Sequence, residues 1–111
     1  MQATEVLIIG AGISGLICAT ELRKVDKSVR ILDKGRGLGG RMATRRMAGG
    51  RLDHGAQYFT VRDPRLQADA DDWLAAAITT EWFRHLPEDS NPDGYSRYCG
   101  ITGMPDVPKH L

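Results

Sequence analysis

The sequence predicts an α/β fold that opens with a βαβ unit, the first part of a parallel sheet. Two short runs of β-branched and aliphatic residues, 5–9 and 29–32, show no alternation of polar and apolar positions. Such runs are typical of strands that are buried on both faces of a parallel sheet. Between them, apolar residues recur at helical spacing over residues 13–25. A strand, a helix and a strand in this length form one right-handed crossover, so the two strands should be parallel.

The middle of the chain contains a loop, a ribbon and a second helix. In residues 34–40 the apolar residues follow neither the helical nor the strand period, and four of the seven residues are glycines, which predicts a loop. Residues 42–55 are typical of a two-stranded ribbon that turns at residues 48–50. The pair Asp63-Pro64 predicts the start of a helix that runs to residue 77, because Asp is a favourable cap and proline fits the first helical turn.

Two more strands and a short helix are predicted in the last third of the chain. Residues 78–83 and 96–101 are rich in β-branched and aromatic side chains, as strands are. Near the end, Asp106 is expected to cap a helix that carries Pro108 in its first turn. The sequence stops after about one turn, and isolated helices that short are not stable.

Composition and charge narrow the class of protein. The 111 residues are 41% hydrophobic and 26% charged, which indicates one globular unit rather than disorder or a coiled coil. The net charge is only +1, but residues 1–66 hold 12 Lys and Arg against 6 Asp and Glu. The first half should therefore favour an anion. The two cysteines are far apart in sequence, with no zinc spacing and no secretory signal, so we expect a soluble cytoplasmic protein with no membrane partner.

A glycine motif follows the first strand and opens the first helix. Residues 10–15 have the pattern GxGxxG in the strand-to-helix context that this motif requires. Gly10 would turn the chain, Gly12 would let a pyrophosphate approach the backbone, and Gly15 would let the helix press on the strand. The first N–H groups of the helix, including those of Ile13 and Ser14, would face the diphosphate. The motif therefore predicts a dinucleotide site.

An acid and a basic glycine loop follow the second strand. Asp33 lies where a carboxylate can accept hydrogen bonds from the ribose of an adenosine. In the next segment Gly39 and Gly40 expose backbone N–H groups, while Arg36 and Arg41 can neutralise phosphate oxygens. A flexible basic surface loop and an RNA-binding loop are the alternatives, although no aromatic residue interleaves these cations, as single-strand binding would require. We therefore expect no nucleic-acid partner.

Two segments carry a family resemblance. Residues 33–44, DKGRGLGGRMAT, resemble the signature of the flavin amine oxidase superfamily, in which this stretch wraps the ribose and diphosphate of FAD. Residues 52–59, LDHGAQYF, resemble the renalase-like branch, in which this turn lies near the flavin. The full set of FAD-binding candidates is Gly10, Gly12, Ile13, Ser14, Gly15, Asp33, Lys34, Arg36, Gly39, Gly40, Arg41, Met42, Gly55, Ala56, Gln57 and Tyr58.

The resemblance implies an α/β, Rossmann-type FAD/NAD(P)-binding fold and a two-electron oxidoreductase. Hydride would pass to the flavin from an amine or an isomeric reduced nicotinamide dinucleotide, and oxygen would reoxidise the flavin. NAD(P)H or such an isomer is thus a possible small-molecule partner, and we assign no catalytic residue and no metal ligand. Side chains such as Tyr58 and Phe59 are more often core residues than flavin contacts, and we expect His54 to be a hydrogen-bonded structural histidine rather than a general base.

Two parallel strands do not complete a doubly wound sheet, which normally has about five or six strands. The predicted domain organisation follows from this shortfall. We expect residues 1–62 to form an incomplete Rossmann-type segment that supplies the ADP half of the FAD site. Residues 63–111 would begin an α+β substrate domain, and the 111 residues alone would be inactive. A non-catalytic dinucleotide-binding module and an NAD-dependent dehydrogenase are the open alternatives; the second leaves the Gly39-Gly40-Arg41 loop unexplained.

Overall fold

The computed structural model describes residues 3–111, and it opens with the predicted βαβ unit. Strand β1 (Val6–Ile9), helix α1 (Ile13–Lys24) and strand β2 (Val29–Leu32) follow one another along the chain. The two strands are parallel, and Val6 pairs with Val29 at the start of the register. Helix α1 packs on both strands. The predicted parallel crossover is confirmed.

The expectation that both faces of these strands are buried is wrong for the described residues. Burial alternates along β1 and β2, and the side chains of Leu7, Ile9 and Leu32 are 55%, 76% and 51% exposed. The other face carries Val6 and Ile8 and is covered by α1. Successive side chains of a strand point to opposite faces, and within residues 3–111 only one face has a covering layer.

The loop after β2 leads into the predicted ribbon. A single 3-10 turn spans Gly40–Met42, and strands β3 (Arg45–Met47) and β4 (Gly50–Leu52) form an antiparallel pair. At the connection, Ala48 has φ 48° and Gly49 has φ 76°. Positive φ at both central residues is characteristic of a type I′ turn, whose twist matches that of the two strands it connects.

Helix α2 (Pro64–Ala75) begins as the sequence predicts. The Asp63 carboxylate accepts a hydrogen bond from the Arg65 backbone N–H at 2.8 Å and also pairs with the Arg65 guanidinium. The Arg65 side chain, and then its backbone N–H, lower the pKa of Asp63 to about 2. Strands β5 (Thr79–Phe83) and β6 (Arg97–Gly100) then pair antiparallel.

The last helix, α3 (Asp106–His110), begins differently from the prediction. Pro105 occupies the cap position, and Asp106 is the first helical residue. The Asp106 carboxylate is instead bonded to the preceding turn, where it accepts from the backbone N–H and the hydroxyl of Thr102. The side chains of Val107 and Pro108 are fully buried. Tertiary packing therefore holds a helix that would not form in isolation.

The core is one cluster that draws on both halves of the chain. Its buried members are Met42, Val61, Ala70, Trp73, Met104 and Val107. Phe59 packs against this cluster, and its backbone pairs with that of Tyr98. The boundary between residues 62 and 63 stays a prediction, and this shared core runs across it.

Truncating the side chain of Met104 should destabilise the fold far more than truncating the exposed methionine Met47. Met104 is completely buried, whereas the side chain of Met47 on the ribbon is 50% exposed. We expect Met104→Ala to lower the free energy of unfolding by about 2–4 kcal/mol through lost burial and a residual cavity. The matched control Met47→Ala should change it by less than about 1 kcal/mol. Urea denaturation followed by tryptophan fluorescence measures both, and equal losses would contradict the assigned core.

Candidate functional site

The glycine turn, residues 10–15, joins β1 to α1 through backbone contacts. Gly10 has φ 107° and its N–H donates to the Leu32 carbonyl at 2.6 Å, so the turn is bonded to the end of β2. A Cβ at Gly15 would collide with the Gly10 carbonyl oxygen, whereas a Cβ at Gly12 would meet no atom within 4 Å. Gly15 thus serves the packing of helix on strand, and the space beside Gly12 is open.

The start of α1 offers donors to that open space. Gly12 is the cap residue, and neither a side-chain cap nor an acidic residue is present in the first turn. The N–H groups of Ile13, Ser14 and Gly15 precede the first intrahelical bond, from the Leu16 N–H to the Gly12 carbonyl. These N–H groups and the helix dipole make the position favourable for an anion.

The Gly39-Gly40 pair lies directly against the glycine turn. The Gly39 N–H donates to the Ala11 carbonyl at 2.7 Å, and Gly39 forms a parallel bridge with Gly12. Both glycines have positive φ, 108° and 54°. A Cβ on Gly40 would lie 3.3 Å from the Gly12 Cα. The backbone conformation therefore favours glycine at both positions, and at Gly40 the close approach to Gly12 favours it as well.

Asp33 bridges the glycine turn and the loop after β2. One carboxylate oxygen accepts from the Ala11 N–H at 3.0 Å, and the other accepts from the Gly35 N–H at 2.9 Å. The hydrogen bond from Ala11, followed by that from Gly35, lowers the pKa of Asp33 below its usual value of 3.8. Each carboxylate oxygen has a further lone pair, so the exposed side of Asp33 can still accept from a ligand hydroxyl.

A basic groove of about 660 Å³ opens beside Asp33. Its walls come from the loop after β2, the 3-10 turn, the ribbon and α3. The lining residues are Asp33, Lys34, Gly35, Arg36, Gly37, Leu38, Gly40, Ala43, Thr44, Arg46, Arg51, Pro105 and Lys109. Five of these are cations and one is an acid, so the groove favours an anionic ligand.

Some of the predicted site residues line this groove, and the others lie elsewhere in the structure. Asp33, Lys34, Arg36 and Gly40 line the groove, and the glycine turn lies next to it through the contact of Gly40 with Gly12. Met42 is buried in the core, and its N–H donates to the Gly39 carbonyl. Met42 therefore has neither a side chain nor an N–H to offer a ligand.

The turn at Gly55 packs against Arg41 through the backbone. The Ala56 N–H donates to the Arg41 carbonyl at 2.8 Å, and a Cβ on Gly55 would collide with that same carbonyl oxygen. The Arg41 side chain is exposed. This contact gives Gly55 and Ala56 a structural role in holding the 3-10 turn in place.

Gln57 and Tyr58 lie outside the basic groove. They line a separate hollow together with Trp82, Phe83 and Arg97. Tyr58 makes edge-to-face contacts with both of these aromatic rings and stays 43% exposed, so it is not a core residue. Phe59 does pack on Trp73, with ring centroids 6.1 Å apart, as expected of a core side chain. The His54 side chain is exposed rather than buried.

Several groove residues lie outside the set of FAD-binding candidates. Two of them, Arg46 and Arg51, belong with Arg45 to the basic run beyond Arg41, which from the sequence either extends the anion field toward a phosphate-bearing substrate or forms a solvated face of the ribbon. Arg46 and Arg51 face each other in the ribbon register, and the strand period alone places them on one face. Thr44 donates to Asp53 at 2.7 Å, and Asp53 also accepts from the Met104 N–H. No local pattern predicts Lys109, because it reaches the groove through the tertiary packing of α3.

The stability of the site region should depend on the charge of Asp33. Because its pKa is lower in the folded chain, its stabilising effect is complete above the unfolded value near 3.8 and is lost as pH falls through the folded pKa. We expect Asp33→Asn to be less stable than the wild type at neutral pH and to lose less stability on acidification. Asp26→Asn, in the turn after α1, is the control. Urea denaturation between pH 2 and pH 6 measures both, and parallel profiles for Asp33→Asn and the wild type would refute the assignment.

The described residues contain neither a membrane-spanning helix nor a cluster of metal ligands. Within residues 3–111, no helix is both long and apolar enough to cross a membrane. In the same described part of the chain, His, Cys, Asp and Glu side chains do not gather in groups of three or more that could hold a metal ion.

The chain is similar to several oxidases. It is 35% identical over 88 residues to (S)-6-hydroxynicotine oxidase of Paenarthrobacter nicotinovorans, a match that covers 73% of this chain and 21% of that protein. It is 35% identical over 110 residues to coproporphyrinogen III oxidase of Mycobacterium leprae, which covers 96% of this chain and 23% of that protein. Wild-type putrescine oxidase bound to putrescine superposes with a TM-score of 0.58 at 34% identity over 73% of this chain and 18% of that one.

The chain therefore spans about a fifth of the length of these relatives. The family described as NAD(P)-binding Rossmann-like domain matches residues 8–73, which contain the end of β1, the glycine turn, α1, β2, the basic loop and the ribbon. On this match and on the parallel crossover with its glycine turn, the chain belongs to the NAD(P)-binding Rossmann-like domain family.

Proposed function

We propose that this chain binds the adenosine-diphosphate half of FAD and is part of an FAD-dependent oxidoreductase. The observation that carries the proposal is the open space beside Gly12, which is faced by N–H groups of α1 and closed on one side by Gly40. A diphosphate needs this combination of donors, a positive field and the absence of a Cβ. The three oxidase relatives support the oxidoreductase class.

The residues around this space fit the remaining parts of an adenosine dinucleotide. Asp33 keeps lone pairs for ribose hydroxyls, and its two backbone hydrogen bonds hold the carboxylate in one orientation. Arg36 and Lys34 lie in the adjoining groove, where they can neutralise phosphate oxygens. The glycines let the chain approach the ligand closely, and the bonds from Asp33 and Gly39 to Ala11 fix the position of that approach.

Bound FAD would supply the two-electron acceptor for the reaction. The described residues bind and orient the nucleotide, and we assign no proton transfer to them. In finer detail, we propose a small-molecule substrate of the amine oxidase or renalase type, namely an amine or an isomeric reduced nicotinamide dinucleotide, with oxygen as the final acceptor. The similarity to putrescine oxidase and the sequence of residues 52–59 support this finer proposal. A cytoplasmic location belongs to the same proposal.

NAD(P) is the second candidate ligand. The description of the matching family favours it, and Asp33 suits the ribose of NAD as well as that of FAD. The Gly39-Gly40-Arg41 loop, which packs against the glycine turn, favours FAD because NAD binding alone does not explain the presence of this loop. The nucleotide released from denatured protein distinguishes the two candidates.

Replacing Gly12 should remove nucleotide binding without unfolding the chain. A Cβ at this position meets no protein atom within 4 Å, but it would occupy the space that the diphosphate needs. We expect ADP and FAD to shift the amide resonances of Gly10, Gly12 and Ile13 in the wild type, and Gly12→Ala to weaken both ligands at least about tenfold. Two-dimensional NMR titration measures this even when binding is weak.

Two variants control for folding. Cys18→Ser lies on the exposed side of the same helix and should bind like the wild type. Gly15→Ala should lose stability as well as binding, because its Cβ collides with the Gly10 carbonyl. If Gly12→Ala bound ADP like the wild type, or if ADP moved no resonance of the glycine turn in the wild type, the proposed function would be wrong.

A further inference from the structure

We propose that Arg46 and Arg51 of the ribbon, together with Lys109 of α3, form a second phosphate-binding site that is separate from the glycine turn. The ligand is a phosphate-bearing small molecule. The three side chains line the basic groove, whereas no residue of the glycine turn does. The two sites adjoin where Gly40 lies against Gly12 and where Asp33 accepts from the Ala11 N–H.

The register of the ribbon places two like charges side by side. Arg46 pairs with Arg51 across β3 and β4, and both side chains line the groove. Like charges that face each other on a strand pair are destabilising. A phosphate held between the two guanidinium groups would turn this repulsion into attraction, and it can accept paired hydrogen bonds from each of them. The geometry is thus unfavourable without an anion and favourable with one.

The opposite side of the groove adds positive charge. Lys109 is carried by α3, whose position is fixed by the buried side chains of Val107 and Pro108. Lys34 and Arg36 project from the loop after β2 into the same groove. The single acid there, Asp33, already accepts two backbone hydrogen bonds. In the described part of the chain, the ion pairs within 4 Å involve none of the five groove cations.

The lining residues favour a phosphate over other anions. Guanidinium groups match the oxygen geometry of phosphate, and several cations around one space suit a ligand with more than one negative charge. The described lining contains no aromatic side chain on which a nucleobase could stack. A nucleic-acid strand is therefore not the ligand that this groove fits.

The phosphate belongs to a second phosphorylated molecule that binds beside the nucleotide. FAD and ADP carry no phosphate beyond the diphosphate that the proposed function places at the glycine turn, so one such nucleotide cannot fill both sites. Competition between inorganic pyrophosphate and ADP tests this separation.

The test is a titration of the 111-residue chain with inorganic pyrophosphate at two salt concentrations. We expect the double variant Arg46→Gln/Arg51→Gln to bind pyrophosphate about tenfold or more weakly than the wild type, because two charge-assisted contacts are lost. Arg45→Gln is the matched control, since Arg45 lies on the same ribbon, pairs with Leu52 and does not line the groove. It should bind within about twofold of the wild type.

Stability provides a second readout. Pyrophosphate should raise the melting temperature of the wild type and of Arg45→Gln but not that of the double variant. If ADP displaces pyrophosphate and Gly12→Ala prevents this displacement, the two ligands share one site and the proposal of a second site is wrong. If ADP and pyrophosphate bind together, the groove takes a separate ligand.

The proposal would be overturned if pyrophosphate did not bind the wild type, or if Arg45→Gln weakened binding as much as the double variant. The first result would mean that the groove does not bind phosphate, and the second that the ribbon cations act only through their overall charge. Failure of ADP to bind the glycine turn would refute the proposed function but leave the pyrophosphate result unchanged.

Discussion

The two hydrogen bonds on the backbone of Ala11 are the constraint on which the rest of the site depends. Its N–H donates to the Asp33 carboxylate at 3.0 Å, and its carbonyl accepts from the Gly39 N–H at 2.7 Å. One peptide position in the glycine turn is thereby bonded to the end of β2 and to the glycine loop that follows. The approach is close enough that a Cβ on Gly40 would press on the Gly12 Cα. The ligand space beside Gly12 is therefore shaped by main-chain contacts, and its form varies little with surface side chains.

Local sequence signals predict most of the elements because those elements are determined locally. The spacing of apolar residues places α1, the proline after Asp63 starts α2, and the parallel order of β1 and β2 follows from the length of the crossover. The glycine motif likewise identifies the turn, since its conformation needs positive φ or a missing Cβ at particular positions. These features depend on neighbours within a few residues, and single-residue chemistry is sufficient to recognise them.

The incorrect or missing predictions concern contacts that a local pattern does not determine, two of them between distant parts of the chain and one between neighbours four positions apart. A continuous apolar run predicts a strand that is covered on both faces. Whether a second covering layer is present depends on tertiary structure, and Ile9 remains 76% exposed. Asp106 is a residue type that favours the cap position of a helix, but its carboxylate accepts hydrogen bonds from Thr102 instead. Lys109 reaches the groove only because α3 is buried there. A sequence pattern records what a residue can do, and the fold decides which of its possible partners it meets.

The wall of the groove is also tied to the core, which links stability to the site. The Asp53 carboxylate accepts from the Thr44 hydroxyl and from the Met104 N–H, across 51 positions of sequence. Thr44 immediately precedes β3 of the ribbon, and Met104, completely buried, lies two residues before α3. The Asp53 carboxylate therefore links the ribbon that carries Arg46 to the segment that leads into the helix that carries Lys109. The buried side chains of Val107 and Pro108 hold α3 itself, so a change that loosens Met104 weakens the link between the two elements without removing the packing of the helix.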